Sequence, residues 1–243
     1  MNTTVAAFFD LDGTLLPEPS LERRLFSSLR KSRAIPHANY LFWAMESLRL
    51  LPSGLLAVQH GNKRYLSGLN VDFAVHLFDS LTFFEEGIAR VAWHARQAHQ
   101  IVLVSGTLEP LAQLAAVALE CELEARGLQV HLLALATELE VVRGHWTGRL
   151  AHPALYGPAK AHAVVERALS RRWSLPECHA YGDSILDAAL LSAVGHGHAV
   201  NPASELAAIA NREDWPIWHW RLEKRIAPRA NCVSEIQSLE RQA

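Results

Sequence analysis

The stretch Phe9-Asp10-Leu11-Asp12-Gly13-Thr14-Leu15 ends a short apolar run, Val5–Phe9, and it decides the fold. An apolar run of this length that stops at turn-forming residues is typical of a buried strand in a parallel sheet. Ligand-binding and catalytic groups of such sheets collect beyond the carboxyl ends of the strands, where Asp10 and Asp12 would lie. Asp-x-Asp-Gly also forms ordinary turns, so the stretch alone allows two interpretations, a capped turn or a catalytic carboxylate pair.

Similar apolar runs recur along the chain with helical segments between them. They are Ile101–Val104, His131–Leu135, Cys178–Tyr181 and His198–Val200. This alternation predicts an α/β fold, a Rossmann-like parallel sheet flanked by helices. Gly144 and Gly148 punctuate β-prone residues between Glu138 and Leu150, which predicts a hairpin or a pair of turns. The segment Asp214–Trp220 is predicted as an edge strand.

The first two runs are separated by about ninety residues, far more than the single helix that usually joins parallel strands. Helical patterns fill the interval. They cover Leu21–Arg33, His37–Leu50, Ser53–Leu66 and Val71–Phe84, and Ile88–Gln100 then leads back into the second strand. We therefore predict a helical cap domain over residues 16–85, inserted after the first strand of a core domain formed by residues 1–15 and 86–243.

Composition excludes several classes of function. A formal net charge of −2, with 50% hydrophobic and 20% charged residues, gives no electrostatic case for nucleic acid as a partner. No stretch approaches the ~20 apolar residues of a membrane-spanning helix. The segment Asp214–Trp220 and the basic residues after it could form an amphipathic membrane contact, although an edge strand and a solvated tail explain them as well. We expect no membrane association.

The three cysteines, Cys121, Cys178 and Cys232, indicate a reducing compartment. They are odd in number and widely spaced, so they predict neither a disulfide framework nor a zinc site. The first apolar run stops at Asp10 after five residues, which fits a strand better than a signal peptide. We expect a cytoplasmic protein.

Two further segments offer groups for an anion. Ser105-Gly106-Thr107 follows the second strand, so a hydroxyl and backbone N–H groups can point at a bound anion, although Ser-Gly is also a common loop. Lys160 lies two residues after Pro158, which is well placed to begin a helix. A lysine near a helix start opposes the helix dipole, so either an anionic partner or full solvation must explain Lys160.

The segment Gly182-Asp183-Ser184-Ile185-Leu186-Asp187 adds two carboxylates at the end of a third strand. If a helix starts between them, Asp183 and Asp187 lie on one helical face; helix capping by Asp183 is the plainer alternative. Up to four carboxylates would then converge on one sheet edge and repel one another and a phosphate dianion unless a cation lay among them. Oxygen-only ligands favour Mg²⁺ as that cation.

In their order along the chain, these segments resemble the four motifs of the haloacid dehalogenase superfamily. The motifs are Asp10-x-Asp12-x-Thr14, Ser105, Lys160 and Gly182-Asp183-Ser184-x-x-Asp187. The helical insertion after the first motif is similar to the cap of the phosphoserine-phosphatase-like subfamily. The resemblance spans residues 5 to 220 and implies a Mg²⁺-dependent phosphatase. Asp12 argues against dehalogenation, because dehalogenases of this fold lack the second Asp.

The resemblance also implies a role for each motif residue. Asp10 would attack phosphorus and form an aspartyl-phosphate, and Asp12 would act as general acid and base. The phosphoryl oxygens would be held by Thr14, Ser105, Gly106 and Lys160. The metal ligands would be Asp10, the main-chain carbonyl of Asp12, and Asp183. Asp187 and Ser184 would support them, with Asp187 orienting Lys160 or a metal-bound water.

The cap would select the substrate, which we expect to be a small phosphorylated metabolite, phosphoserine or a similar zwitterion. Glu18, Arg49 and Arg64 are the candidate specificity residues. Phosphoryl transfer to an acceptor other than water, or a catalytically idle binding module, are the alternatives, and a monomer and a homodimer are both compatible with the sequence. The 13 histidines suggest no ligand set; His94 and His99, for instance, do not have the i, i+4 spacing of helical metal pairs.

Overall fold

The structure, a computed structural model, describes residues 4–72 and 81–222. Within these ranges a parallel sheet of six strands forms the centre of the molecule, and a two-stranded antiparallel hairpin lies apart from it. The parallel strands are β1 (Ala6–Phe9), β2 (Gln100–Leu108), β3 (Leu133–Thr137), β6 (His179–Gly182), β7 (His196–Val200) and β8 (Ile217–Trp218), and the hairpin consists of β4 (Leu139–Val142) and β5 (His145–Leu150). The predicted α/β fold is confirmed.

The strand order is β3-β2-β1-β6-β7-β8, so the chain fills one half of the sheet outward from β1 and then the other half outward from β6. All four residues of β1 are buried, which explains why its sequence is continuously apolar. β1 pairs with β2 on one side and β6 on the other. Because the order reverses between β1 and β6, a crevice opens beyond their carboxyl ends.

Helices cover both faces of the sheet. They are α4 (Glu85–Arg96), α5 (Glu109–Glu124), α6 (Pro158–Arg171), α7 (Ala188–Ser192) and α8 (Ser204–Arg212). One apolar core contains Phe9 and Leu103 and the other contains Phe8 and Val102, so neighbouring residues of each strand face opposite layers. Pro158 begins α6 as predicted.

The insertion after β1 is helical, and we propose it, over residues 16–85, as the cap domain. It contains α1 (Leu21–Lys31), α2 (His37–Leu50) and α3 (Leu55–Gly61), with 3₁₀ turns at Leu51–Ser53 and Arg64–Leu66. Among the described residues no helix combines the length and apolar content that crossing a membrane requires.

The hairpin β4-β5 is hydrogen-bonded to the insertion near Gly68 and Leu69. Backbone hydrogen bonds run from the Gly68 N–H to the Trp146 carbonyl and from the Trp146 N–H to the Leu69 carbonyl, at 2.8 and 2.9 Å. The Trp146 side chain is buried beneath them. Gly148 has a φ of 73°, and a β-carbon there would lie 3.0 Å from the Lys63 carbonyl oxygen, so this contact requires glycine.

Several predicted element boundaries were wrong. A continuous helix over Ser53–Leu66 does not form, because the chain turns to extended backbone at Asn62. The Asn62 amide donates to the Trp43 carbonyl and to Ser47 Oγ, at 2.7 and 2.8 Å, and these tertiary bonds replace another helical turn. β3 also begins at Leu133, two residues later than His131.

The segment before α4 and the limits of α4 itself also differ from the prediction. Of the predicted helix Val71–Phe84, residues 73–80 lie outside the described residues, and Leu81–Phe84 is not helical. Helix α4 begins at Glu85 and not at Ile88, and it ends at Arg96 before β2 starts at Gln100.

Candidate active site

A tight turn after β1 places Asp10 at the crevice between β1 and β6. The Asp10 N–H donates to the Tyr181 carbonyl at 3.0 Å, and the Leu15 and Leu16 N–H groups both donate to the Leu11 carbonyl. Gly13, inside this turn, has a φ of 92°, and a β-carbon there would lie 2.2 Å from Asp183 Oδ2. Only glycine lets the turn carry Asp10 this close to the end of β6.

Lys160, in the first turn of α6, joins two of the buried carboxylates. Its Nζ lies 2.6 Å from Asp10 Oδ1 and 2.6 Å from Asp187 Oδ1, and the three side chains are almost fully buried. Burial would lower the pKa of Lys160, but the charges of Asp10 and Asp187 outweigh it and raise that pKa. Lys160 is therefore a permanent cation.

The segment after β6 holds Asp187 in place. A 3₁₀ turn over Ile185–Asp187 is closed by a capping box, in which Asp187 Oδ2 accepts from the Ser184 N–H at 3.1 Å and from Ser184 Oγ at 2.8 Å. Both oxygens of Asp187 are thus used within the protein. Asp187 thus contacts Lys160 directly, and Ser184 contacts Asp187.

The carboxylates crowd one another. Asp10, Asp183 and Asp187 can present oxygens within 4.8 Å of one another. The Thr14 hydroxyl lies among them, 3.2 Å from Asp10 Oδ2 and 3.5 Å from Asp183 Oδ1. Thr14 is thus adjacent to the nucleophile candidate and the metal-ligand candidate at once.

The electrostatics of this cluster call for a cation. Burial, and then repulsion from Asp187, raise the pKa of Asp183 to about 7, and burial raises the pKa of Asp10 well above its usual value despite Lys160. Three carboxylates and one ammonium leave an uncompensated negative charge in a buried site. A divalent cation with oxygen ligands would offset it, so the donor set fits Mg²⁺.

Asp12 has a different environment from Asp10. Its Oδ1 accepts a hydrogen bond from the Leu21 N–H at 2.8 Å, at the N-terminus of α1. Burial raises the pKa of Asp12 to about 6, and the Leu21 hydrogen bond only partly opposes this. A carboxyl that changes protonation near pH 6 suits a general acid and base.

The end of β2 supplies the opposite wall of the crevice. Ser105 is buried, and its Oγ accepts from the Thr107 N–H at 3.2 Å. The Gly106 carbonyl accepts from Thr137 Oγ1 at 2.8 Å, which fixes the backbone at this point. Thr107 Oγ1 is buried and has no hydrogen-bond partner among the described residues. The wall thus contains a polar atom that a bound oxyanion could satisfy.

These groups border one cavity of about 770 Å³ between the sheet edge and the insertion. Its floor is formed by residues of the four motifs. They are Asp10, Asp12, Ser105, Gly106, Lys160, Asp183, Ser184 and Asp187. The structure thus brings the motif residues together, although some of them that are in contact lie 150 and 169 positions apart along the chain.

The three candidate specificity residues lie in two different places. Glu18 is exposed at the rim of the cavity, where its carboxylate accepts from the Ser20 N–H. Arg49 is paired with Glu46 at 2.6 Å and lies, with Arg64, in a separate surface cleft of about 470 Å³. Arg49 and Arg64 are not placed at the motif residues.

Sequence reasoning missed an ion pair in the wall of the cavity. Lys63 is 1% exposed, and its ammonium contacts both carboxylate oxygens of Glu22 at 2.5 and 2.7 Å. The Tyr65 hydroxyl donates to the same carboxylate at 3.0 Å. The residues come from α1 and from the segment after α3, so no local spacing could have revealed the pair.

A cap histidine was also missed. His60 stacks on Tyr156 with ring centroids 4.4 Å apart, above the Gly106 backbone. Its Nε2 is buried without a hydrogen-bond partner among the described residues, and burial lowers its pKa. His60 thus places an imidazole whose pKa is lowered at the cavity that Thr107 also lines.

A second cluster of titratable groups lies at the amino edge of the sheet, away from the cavity. His94 Nδ1 lies 2.8 Å from His99 Nδ1, and with His179 these rings form a group that could hold a metal ion. His94 and His99 lack the i, i+4 spacing of a helical metal pair, yet their rings are in contact. The reason is that α4 ends at Arg96 and the chain turns back at Ala98, φ 57°.

The chain is similar to known hydrolases. A family model described as haloacid dehalogenase-like hydrolase matches residues 7–192. A Mycobacterium leprae protein named as a hydrolase is 31% identical over 241 residues, covering 93% of this chain and 76% of the relative. A phosphoserine phosphatase of Mycobacterium tuberculosis is 30% identical over 243 residues, covering 93% and 74%.

Solved structures share the fold. A protein of unknown function from Bordetella pertussis superposes with a TM-score of 0.66 at 24% identity, covering 89% of this chain and 99% of that one. A phosphoserine phosphatase solved as an analogue of its phospho-aspartyl intermediate gives a TM-score of 0.57 at 19% identity, covering 98% and 99%.

Proposed function

The chain belongs to the haloacid dehalogenase-like hydrolases, and from that premise we propose that it is a Mg²⁺-dependent phosphatase of small phosphomonoesters that works through an aspartyl-phosphate. Two relatives of similar coverage carry the names phosphoserine phosphatase and probable phosphatase, which supports the reaction class. The domain limits, the roles of the site residues and the metal are parts of the same proposal.

The first step is transfer of the phosphoryl group to Asp10. A carboxylate oxygen of Asp10 attacks phosphorus, the bond from phosphorus to the leaving oxygen breaks, and Asp12 gives its proton to that oxygen. The alcohol leaves, and the phosphoryl group stays on Asp10 as an acyl phosphate. A pKa of about 6 for Asp12 keeps part of this group protonated near neutral pH, as the step requires.

The second step returns the enzyme to its starting state. Asp12, now ionised, takes a proton from water, the water oxygen attacks phosphorus, and the bond to Asp10 breaks to release phosphate. Lys160, Ser105 and the Gly106 backbone hold the phosphoryl oxygens in both steps. Mg²⁺, when bound by Asp10, Asp183 and the Asp12 carbonyl, neutralises the charge that develops on the phosphoryl group.

The observation that carries the proposal is the difference in electrostatic environment between the carboxyl groups of Asp10 and Asp12. Asp10 is held against the ammonium of Lys160 at 2.6 Å. Within the described part of the chain no cation contacts Asp12, and burial raises the pKa of Asp12. Two neighbouring carboxyl groups with such different environments are suited to one nucleophilic and one acid-base role.

The test is phosphate release from p-nitrophenyl phosphate by the full chain with Mg²⁺ and with EDTA. We expect activity that requires the metal and is lost in Asp10→Asn. Asp214→Asn, which changes an exposed carboxylate three residues before β8, should keep the activity. Mass spectrometry of the acid-quenched enzyme should find one added phosphoryl group on Asp10. Full activity of Asp10→Asn would overturn the proposal.

A further inference from the structure

Helix α2 exposes its large apolar side chains and buries a polar one. Asn39 is its one buried residue, and the Asn39 amide donates to the Tyr65 and Ser67 carbonyls at 3.1 and 2.6 Å. Its large apolar side chains point instead to solvent, Leu48 being 72% exposed. A helix on the surface of a soluble protein normally buries its apolar stripe, so the exposed side of α2 is built to meet something apolar.

The exposed apolar side chains continue beyond α2. We define the apolar face as Leu41, Phe42, Met45, Leu48, Leu51 and Leu55, all of them exposed. From Leu50 to Gln59 the chain contains no charged residue. The only charged residues of α2, Glu46 and Arg49, neutralise each other as an i, i+3 pair. The face is therefore apolar, and the charged residues beside it, Glu46, Arg49 and Arg64, line the cleft that Phe42 and Met45 border.

The apolar face reaches the active-site cavity. Trp43 and Leu56 line the cavity and are also 37% and 46% exposed. Leu55, the residue before Leu56 in the chain, is 75% exposed and belongs to the apolar face, so α3 connects the cavity to the face. Behind them, Phe26 packs between Trp43 and Tyr65, with ring centroids 6.1 and 5.2 Å away. The apolar lining of the cavity thus reaches the surface at Leu56, beside the α3 end of the apolar face.

The polar groups in this wall are already satisfied by one another. Both oxygens of Glu22 contact the ammonium of Lys63, and Tyr65 donates to the same carboxylate. Glu22 is therefore not free to bind a substrate ammonium group, and Lys63 is not free to bind a carboxylate. Among the described residues that line the cavity, the charged ones outside the motifs and outside this ion pair are Glu18 and Arg23, which are exposed at the rim.

We infer that the substrate is a phosphomonoester whose leaving group carries an apolar chain, and that this chain leaves the cavity between Trp43 and Leu56 and lies on the apolar face. The inference rests on the proposed function and replaces the zwitterionic metabolite expected from the sequence with an amphiphile. The phosphate reaches the carboxylates and Lys160, and the chain covers side chains that otherwise stay in water.

The test is a series of straight-chain alkyl phosphates of increasing length, each kept below the concentration at which it forms micelles. kcat/KM for phosphate release by the full chain with Mg²⁺ is measured beside p-nitrophenyl phosphate. We expect kcat/KM to rise about three- to fourfold for each methylene that becomes buried, until the chain passes Leu56 and the apolar face.

Two matched variants locate the effect. Leu56→Ser should flatten the dependence of kcat/KM on chain length, whereas Leu169→Ser, 73% exposed on α6 of the core, should leave it as in the unaltered protein. A flat dependence in the unaltered protein, with p-nitrophenyl phosphate still hydrolysed, overturns the inference and leaves the proposed function standing. Loss of hydrolysis of every ester overturns both, and equal slopes in the two variants overturn the route past Leu56.

Discussion

The ammonium nitrogen of Lys160 lies 2.6 Å from Oδ1 of Asp10, and the two buried residues are 150 positions apart in the chain. The contact joins the first turn of α6 to the end of β1. A buried charge that loses its partner is costly, so this pair links the integrity of the site to the stability of the core.

Lys160→Met should therefore destabilise the protein. The change leaves Asp10 and Asp187 buried without their cation, and we expect a loss of about 3–5 kcal/mol in the free energy of unfolding. Urea unfolding without metal measures it. Lys31→Met, at the exposed end of α1, is the control and should stay within about 0.5 kcal/mol of the unaltered protein. Equal stability of the two variants would show that the ion pair is not structurally important.

Mg²⁺ should raise the thermal unfolding temperature of the free enzyme. Binding to the folded state alone adds about 2.7 kcal/mol at a hundred times the dissociation constant. Asp183→Asn should abolish most of this shift, because it removes a metal-ligand candidate, and Asp214→Asn should retain it. A shift that survives in Asp183→Asn would place the cation elsewhere.

Asp12→Asn should affect poor leaving groups most. An alkoxide needs a proton as it leaves, so we expect a loss of about 10²–10⁴-fold in kcat/KM on an alkyl phosphate. On p-nitrophenyl phosphate, whose leaving group is stable as an anion, the loss in the first step should be far smaller. Similar losses on both substrates would count against Asp12 as the acid.

The pH dependence of the same step follows from the pKa of Asp12, raised to about 6. Because the acid must be protonated, kcat/KM for an alkyl phosphate should fall as the pH rises above about 6. The decline should be absent in Asp12→Asn. A profile that rises through this range in the unaltered enzyme would contradict the assignment.

Gly13→Ala should inactivate the enzyme more than it destabilises the fold. Gly13 and Gly127 both have positive φ, 92° and 77°, so alanine is strained at either position, by about 1 kcal/mol. Only at Gly13 would the added β-carbon collide with Asp183; at Gly127 nothing lies within 4 Å. Phosphate release and urea unfolding of the two alanine variants separate strain from collision. If Gly127→Ala lost as much activity, the close approach to Asp183 would not matter.

The sequence predicted the core of this site well because its signals are local. A run of apolar residues indicates a buried strand. The residues that come next in the sequence lie at the carboxyl end of that strand. The sequence alone therefore assigns Asp10, Ser105 and Asp183 to one edge of the sheet. Lys160 could be placed at a helix start for a similar reason, since Pro158 marks the first turn.

The sequence was less informative about the insertion, where the signals are not local. Helical periodicity located α2 but could not show that its apolar side faces outward, because burial depends on what the rest of the chain packs against it. Ser53–Leu66 looked helical throughout, and only the tertiary hydrogen bonds of Asn62 interrupt it.

By itself, then, the sequence determined the α/β core, the family and the set of motif residues, since strand patterns and short motifs depend on neighbours in the chain. Tertiary structure alone decided that Glu22 pairs with Lys63, that His60 lies over the Gly106 backbone, and that Leu56 lines the cavity beside the apolar face. These contacts form between segments whose relative positions are set by packing, and packing is a property of the whole chain.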